Sequence, residues 1–241
     1  MKILILVNTL TSVNSFIYSN HINFIAHNIR KYPEKNSIFF FAPNRMPIDM
    51  ARNIAARQAL ELDCDYLMFI DDDVFVPPDA LEKLIALEAD IAAGLVIIRG
   101  YPFHVMAFDF VENYDPENPH VRYYDHLPKH EDGSLLPVVS CAAVGFSCAL
   151  IKTELLRKLE EPYFITGTNL TEDVYFCLKA LETFPTVSIK MDTSIQCGHL
   201  LNAEPVEWSN IEKLKAFYKP AAESEEHPRN LAMIERCLAQ I

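Results

Sequence analysis

Three consecutive aspartates, Asp71, Asp72 and Asp73, directly follow the apolar run 66–70. Such a run flanked by acids is typical of a buried strand in a parallel sheet, so the aspartates would lie just past its carboxyl end. Ligands bind at that edge of open α/β sheets. Like charges this close repel each other, and a divalent cation such as Mg²⁺ or Mn²⁺ relieves the repulsion because it prefers carboxylate oxygen. The sequence therefore predicts a metal site. The alternative, a solvated acidic turn, is disfavoured by the helix start at 77–81.

A second acidic pair, Glu172-Asp173, opens a predicted helix over residues 172–183 and follows Thr171. Acids in a first helical turn are stabilised by the helix dipole, and threonine is a favourable N-cap, so helix capping alone accounts for them. A carboxylate at a helix start beside a cleft can also act as a general base that takes a proton from an attacking hydroxyl. The local sequence leaves both interpretations open.

Three basic side chains have a structural and a functional interpretation each. His199 is either a hydrogen-bonded core residue or, beside a metal, a ligand that completes a carboxylate site. Arg52 is either a surface residue of a helix or a contact to a nucleotide, whose phosphates a guanidinium suits. Arg99 follows the fourth predicted strand and belongs either to an ordinary turn or to a loop that reaches the ligand.

Alternating strands and helices fill the first hundred residues, which predicts the α/β class with a parallel, doubly wound sheet flanked by helices. Residues 99–140 are richer in proline, histidine, tyrosine and charge, and predict loops and antiparallel strands inserted over the sheet edge. The predicted strands are 2–7, 37–42, 66–70, 91–98, 138–151 and 187–191, and the predicted helices after the first are 50–62, 80–87, 153–159 and 172–183.

The first predicted helix, about fifteen residues long, offers Phe16, Ile22, Ile25 and Ile29 as its apolar face. At the other end, we divide the chain into a domain over 1–201 and a helical appendage over 202–241. The appendage has predicted helices near 210–218 and 229–238. It could pack on the core, act as a lid or mediate homo-oligomerisation, and its sequence does not distinguish these roles.

Composition excludes several classes of protein. The chain has 241 residues, half of them hydrophobic, and a net charge of −12 that disfavours binding to nucleic acid or anionic membranes. No apolar stretch approaches the roughly 20 residues of a membrane helix, and no signal peptide is evident. The six cysteines form no CxxC pair, so a zinc site is not expected. Gly-rich phosphate loops are absent as well. We therefore expect a soluble, cytoplasmic protein of a reducing compartment.

Taken in order, the motifs resemble those of GT-A glycosyltransferases of the family 2 type, with a Rossmann-like, mostly parallel sheet. The resemblance covers roughly residues 1 to 200. The first half is carried by Ala-Arg-Asn at 51–53, the segment 65–74 with its three aspartates, and Pro-Asp-Ala-Leu at 78–81. The second half is carried by 144–151, 171–177 and Gly198-His199.

The resemblance implies a role for each candidate residue. The family's DxD motif matches Asp71 and Asp73, so Asp73 would bind Mn²⁺ or Mg²⁺, which bridges the diphosphate of a nucleotide-sugar. Asp71 or Asp72 would contact the ribose or share the metal. His199 matches a position where many GT-A enzymes place a further metal ligand.

The same resemblance makes Glu172-Asp173 the acidic pair on the acceptor side, with Asp173 the expected base. Thr9 and Arg52 lie where the family holds the nucleotide, and we assign Arg99 to the same group. Two departures stand out. A Pro-x-Tyr-Asn-like turn is missing after the first strand, and there is no QxxRW motif, which argues against a processive synthase.

The expected function is metal-dependent transfer of a sugar from a nucleotide-sugar, such as a UDP-sugar, to an acceptor hydroxyl with inversion. The acceptor, whether a glycan, a glycoprotein or another hydroxyl compound, is not readable from the sequence. A nucleotidyltransferase is one alternative, although it normally brings a Gly-rich, basic N-terminal loop. A non-catalytic, cation-dependent glycan-binding module is another, but it leaves Glu172, Asp173 and His199 without a joint role.

Overall fold

The computed structural model describes residues 1–9, 12–35, 37–43, 45–110, 121–124, 126–168, 170–201 and 204–222. Helices and strands alternate along it, as an α/β protein requires. The helices are α1 (Ser15–Lys31), α2 (Ile48–Glu61), α3 (Ala80–Ala86), α4 (Thr153–Lys158), α5 (Glu172–Thr183) and α6 (Ile211–Ala222). The strands are β1 (Ile3–Asn8), β2 (Ile38–Phe41), β3 (Tyr66–Asp71), β4 (Val74–Phe75), β5 (Ile91–Leu95), β6 (Ala107–Phe110), β7 (Val121–Tyr123), β8 (Val138–Ser140), β9 (Ala143–Val144), β10 (Cys148–Lys152), β11 (Ile189–Gln196), β12 (Gly198–Leu201) and β13 (Glu204–Val206).

The central sheet has seven strands in the order β2-β1-β3-β10-β5-β11-β8. Strands β2, β1, β3, β5 and β11 run in one direction, so the prediction of a mostly parallel sheet is confirmed. Strand β10 runs antiparallel between β3 and β5, which the sequence did not show. Its residues are buried on both faces, and a continuous apolar run carries no sign of strand direction. This insertion brings Ser147, which precedes β10, against Asp71, whose amide donates to the Ser147 carbonyl at 3.1 Å.

Two small antiparallel sheets lie beside the central one. Strands β7, β6 and β9 form the first, which confirms the predicted antiparallel insertion, and residues 111–120 within it lie outside the described part of the chain. Strands β13, β12 and β4 form the second. Because β12 pairs with β4, His199 stands opposite Val74, one residue past the aspartates.

The core has two layers, one on each face of the sheet. Side chains of β1 alternate between them, because successive residues of a strand point to opposite faces. Leu4 and Leu6 pack with α2, α4 and α5, whereas Ile3 and Ile5 pack with α1 and α3.

The predicted apolar face of α1 is wrong at three of its four residues, whereas the fourth, Ile25, is partly buried and packs against the core. Phe16, Ile22 and Ile29 are 71%, 45% and 50% exposed, and the buried face consists of Ile17, His21, Phe24 and Asn28. The two polar residues tolerate burial because each meets a backbone carbonyl: His21 Nε2 lies 2.9 Å from the Val74 oxygen, and Asn28 Nδ2 donates to Phe24. A hydrophobicity pattern cannot anticipate such partners.

Segment 138–151, predicted as one strand, divides into β8, β9 and β10, and β9 belongs to a different sheet from the other two. The remaining boundaries differ by a few residues from those predicted, and α5 begins and ends as predicted. In the C-terminal part, Val206 and Ile211 are buried in the larger core layer. The predicted helix over 229–238 lies outside the described residues. Within the described residues, no helix has both the length and the apolar character to cross a membrane.

Candidate active site

A cavity of about 470 Å³ opens at the carboxyl ends of β1 and β3, where the sequence placed the site. We call it the donor cavity. Six of the predicted site residues line it: Thr9, Asp71, Asp72, Asp73, Arg99 and His199. Arg52, Glu172 and Asp173 do not. Its other lining residues are Asn8, Met46, Pro47, Ile48, Met106 and Ser147.

Asp73 meets two cationic or potentially cationic groups in this cavity. Its Oδ2 lies 2.8 Å from Arg99 Nη1, and its Oδ1 lies 3.4 Å from His199 Nε2. Burial raises the pKa of the Asp73 carboxyl, but the hydrogen bond and charge of His199 and the charge of Arg99 outweigh it, so the pKa lies below its ordinary value. The lowered pKa favours the carboxylate form of Asp73, which is the form that binds cations.

His199 is held in a defined orientation. Its Nδ1 lies 2.8 Å from the carbonyl oxygen of Ile97, and because a carbonyl can only accept, Nδ1 carries a proton. In a neutral ring Nε2 then presents a lone pair toward the Asp73 carboxylate. Two acceptors at 3.4 Å need a proton or a cation between them. A histidine that donates to a carbonyl through one nitrogen and faces a carboxylate with the other has the arrangement typical of metal ligands.

Asp73 and His199 thus fit a divalent cation as two protein ligands. Among the described residues, no group of three His, Cys, Asp or Glu side chains is gathered closely enough to hold an ion alone. This agrees with Mg²⁺ chemistry, in which one or two carboxylates act together with phosphate oxygens of the substrate.

Asp71 is partly buried, with 20% of its side chain exposed. Its Oδ2 accepts a hydrogen bond from Ser147 Oγ at 2.5 Å, while its buried Oδ1 has no hydrogen-bond partner among the described residues. Burial raises the pKa of Asp71, against the opposing effects of Arg52 and Ser147. Sequence reasoning assigned Ser147 no role, although it is a polar residue within the apolar segment 138–151.

Arg52 lies behind the donor cavity, with 1% of its surface exposed. Its Nη1 lies 2.6 Å from Glu172 Oε1 and 3.9 Å from Asp173 Oδ2, and its Nη2 lies 3.6 Å from Asp71 Oδ1. Arg52 is therefore not a surface residue of its helix, which was one of the two interpretations of the sequence, and it does not line the donor cavity. Arg52 connects the end of β3 to the start of α5.

A signal for this burial exists in the sequence of α2. Arg52 shares a helix face with the buried alanines Ala55, Ala56 and Ala59, at the spacings three, four and seven. The rings of Phe69 and Phe146 complete its surroundings, each with its centroid 5.4 Å from the guanidinium carbon.

The acidic pair at the start of α5 is buried, with 6% of the Glu172 side chain and 8% of the Asp173 side chain exposed. Thr171 is the N-cap residue, as predicted, but its side chain makes no capping hydrogen bond. Its hydroxyl donates to Asp173 Oδ1 instead. The amide of Phe146 donates to Asp173 Oδ2 at 3.2 Å. Burial raises the pKa of Glu172, and the charge of Arg52 opposes this effect.

Asn8 is a further residue that sequence reasoning missed. It ends β1 and lines the donor cavity, and its Nδ2 is buried without a hydrogen-bond partner among the described residues. Buried polar atoms are rarely left without a partner, so this donor points to a ligand.

Comparison with known proteins decides the family. The family described as "Glycosyl transferase family 2" matches residues 21–159, more than half of the chain. The chain belongs to glycosyl transferase family 2. It is therefore a glycosyltransferase, and the family match includes Arg52, the three aspartates and Ser147. No curated protein is detectably similar to the chain in sequence.

Solved structures show the fold of this family 2 glycosyltransferase to be GT-A. Protein A197 from STIV superposes with a TM-score of 0.55 at 18% identity, over 84% of this chain and 87% of that one. GalNAc-T7, solved with UDP, GalNAc and Mn²⁺, superposes with a TM-score of 0.51 at 12% identity, over 85% of this chain. TarS of S. aureus, residues 1–349, gives a TM-score of 0.44 at 16% identity, over 80% of this chain. The chain spans 44% of the GalNAc-T7 chain and 61% of the TarS chain.

Proposed function

We propose that this glycosyltransferase moves a sugar from a UDP-sugar, bound together with Mn²⁺ or Mg²⁺, to an acceptor hydroxyl with inversion. The observation that carries the proposal is the pair Asp73 and His199, whose facing atoms lie 3.4 Å apart while His199 Nδ1 is anchored to the Ile97 carbonyl. The structure of GalNAc-T7 with UDP and Mn²⁺ supports the choice of donor and cation by analogy of fold.

We assign the nucleotide-sugar to the donor cavity, at the carboxyl ends of β1 and β3. Asp73 and His199 would hold the cation, which supplies positive charge against the leaving diphosphate. Asp71 and Asp72 would face the ribose or share the cation. At the end of β1, Asn8 and Thr9 would hold the nucleotide, and the unpartnered Asn8 Nδ2 supplies a hydrogen-bond donor for it.

Transfer forms one bond and breaks one at the anomeric carbon of the sugar. The acceptor oxygen attacks the anomeric carbon from the face opposite the diphosphate, and the carbon–oxygen bond to the diphosphate breaks with its electron pair on the leaving oxygen. The acceptor proton passes to the Asp173 carboxylate, which acts as general base. Asp173 is buried, whereas Thr171 is exposed and donates its hydroxyl to Asp173 Oδ1. The Thr171 hydroxyl would therefore connect this base to the acceptor hydroxyl.

Thermal unfolding with Mn²⁺ and a panel of nucleotide-sugars tests donor and cation together. A ligand that binds only the folded state raises the melting temperature. We expect a UDP-sugar and Mn²⁺ to raise it jointly, and Asp73→Ala to abolish the joint shift. Asp132→Ala, a change of the same type at an exposed turn, is the matched control and keeps the shift.

Two outcomes would contradict the proposal. An unchanged shift in Asp73→Ala would remove the metal assignment. Release of pyrophosphate from a nucleoside triphosphate, without any response to nucleotide-sugars, would favour a nucleotidyltransferase instead.

A further inference from the structure

A second cavity, of about 870 Å³, is lined by residues of the segments 101–105, 124–129 and 208–216. We call it the second cavity. Its volume falls in the range of about 300–1,000 Å³ that is usual for small-molecule sites. None of the site residues predicted from the sequence lines it.

One chain segment separates the second cavity from the donor cavity. The amide of Ile98 donates to the His104 carbonyl at 3.0 Å, and that of Met106 donates to the Val96 carbonyl at 2.8 Å, so the chain doubles back on itself. Arg99 and Met106 line the donor cavity, whereas residues 101–105 between them line the second cavity. One short chain segment therefore contributes residues to both cavities, as is expected for neighbouring sites of the two substrates of a transferase.

The lining of the second cavity combines flat rings with hydrogen-bond donors. Tyr101, Tyr124 and Trp208 supply the rings, and Lys129 and Lys215 supply ammonium groups. Among the described lining residues, Glu212 is the acidic one, although the chain as a whole has a net charge of −12. Aromatic rings that combine an apolar face with a polar edge suit a ligand that also has apolar and polar faces.

His104 adds a fixed polar group to this wall. Its imidazole stacks on the ring of Tyr123, with 4.6 Å between centroids and 5° between planes. This stacking restrains the imidazole before any ligand arrives, which lowers the entropic cost of binding.

We propose that the second cavity binds the acceptor and that the acceptor is a saccharide. A sugar ring has an apolar face of C–H groups and an edge of hydroxyls, so it can stack on Tyr101 while Lys129 donates to a hydroxyl. This inference rests on the proposed function, since it assigns the substrate class of the hydroxyl that attacks the donor. A peptide acceptor is the alternative outcome of the test.

The 241-residue chain, with UDP and Mn²⁺ present, is applied to an immobilised array of neutral and acidic oligosaccharides. The expected result is binding to a subset of these glycans. Trp208 is the only tryptophan of the chain, so titration with a bound oligosaccharide should also shift the tryptophan emission. This signal reports on the second cavity itself, independently of catalysis.

Variants of Tyr101 test the stacking contact. Tyr101 is 38% exposed, so its replacement should leave the fold intact. Tyr101→Ala should weaken glycan binding about tenfold, whereas Tyr101→Phe keeps the ring and the affinity. Tyr18→Ala, at a tyrosine of α1 that is 61% exposed, is the matched control and should change nothing.

The thermal shift with UDP and Mn²⁺, measured on the same samples, separates the two proposals. If the shift is present but no glycan binds, or if Tyr101→Ala binds glycans as well as the unmodified protein, the saccharide assignment is overturned and the donor assignment stands. Binding of a peptide array in place of the glycans overturns it as well. If the shift itself is absent, the proposed function fails.

Discussion

Arg99 and Asp73 form an ion pair of 2.8 Å in the wall of the donor cavity, at the carboxylate that we assign to the cation. The guanidinium therefore occupies one oxygen of the proposed metal ligand. Arg99 is 52% exposed at its side chain, so it can leave Asp73 when a diphosphate offers it another partner.

Replacing Arg99 should strengthen cation binding in the absence of a donor. Arg99→Gln removes a charge that competes with Mn²⁺ for Asp73, and exposed pairs contribute about 0.2–1 kcal/mol, so Mn²⁺ should bind roughly 1.4-fold to fivefold more tightly. Arg99→Lys keeps the charge and should show little change. Electron paramagnetic resonance of free Mn²⁺ measures the affinity. Weaker Mn²⁺ binding in Arg99→Gln would show that Arg99 does not compete with the cation.

Removal of the buried charge of Arg52 should destabilise the protein strongly. Arg52→Met leaves Glu172, Asp173 and Asp71 without their shared cation, and loss of one partner from a buried ion pair costs about 3–5 kcal/mol. Urea unfolding measures the loss. Arg57→Met is the matched control, because Arg57 lies five residues along the same helix.

Arg57 pairs with Glu161 at 2.9 Å on the surface, where an ion pair contributes about 0–1 kcal/mol to the free energy of unfolding. Equal losses in the Arg52 and Arg57 variants would contradict the role of Arg52 as the connection between β3 and α5. Glu172→Gln added to Arg52→Met should restore part of the stability, since it removes one of the uncompensated carboxylates.

The stability contributed by Glu172 should fall as the pH rises. Burial raises the pKa of Glu172 above its ordinary 4.5 in the folded protein, with Arg52 opposing, so the folded state holds this proton more tightly than the unfolded state. From about pH 4.5 up to the folded-state pKa, unfolding releases a proton, and the advantage of the unmodified protein over Glu172→Gln should shrink.

Urea unfolding of both proteins between pH 3 and 8 measures that difference. Glu154→Gln provides a control of opposite sign, because a hydrogen bond from Lys158 lowers the pKa of Glu154. Its contribution should be present above pH 4.5 and disappear as the pH falls through the folded-state pKa. A difference for Glu172 that is independent of pH would contradict the predicted shift.

Asp173→Asn should separate chemistry from donor binding. The amide keeps the shape of the side chain but cannot take the acceptor proton, so we expect kcat to fall by about 10²–10⁴ while the thermal shift with UDP and Mn²⁺ is retained. Thr171→Val, which removes the hydroxyl on Asp173 Oδ1, should lower kcat with the same retention of donor binding. An active Asp173→Asn together with an inactive Glu172→Gln would assign the base to Glu172.

The sequence alone was sufficient to place the three aspartates at the edge of the sheet. Five apolar residues of β3 must be buried, so the acids that follow them must emerge at the sheet edge, and Asp71, Asp72 and Asp73 line the donor cavity as expected. The start of the helix that carries Glu172 and Asp173 was also predictable from local sequence, because acidic residues followed by regularly spaced apolar residues are typical of a helix N-terminus. These features depend on neighbours within a few residues.

Only the tertiary structure decided the features that depend on distant partners. Arg52 is buried because carboxylates 19 to 121 residues away surround it, and His199 faces Asp73 because β12 pairs with β4. The direction of β10, and with it the contact between Ser147 and Asp71, follows from how the whole sheet assembles. A local pattern records which residues prefer burial, whereas the partner that makes the burial of a charge tolerable is fixed only when remote parts of the chain meet.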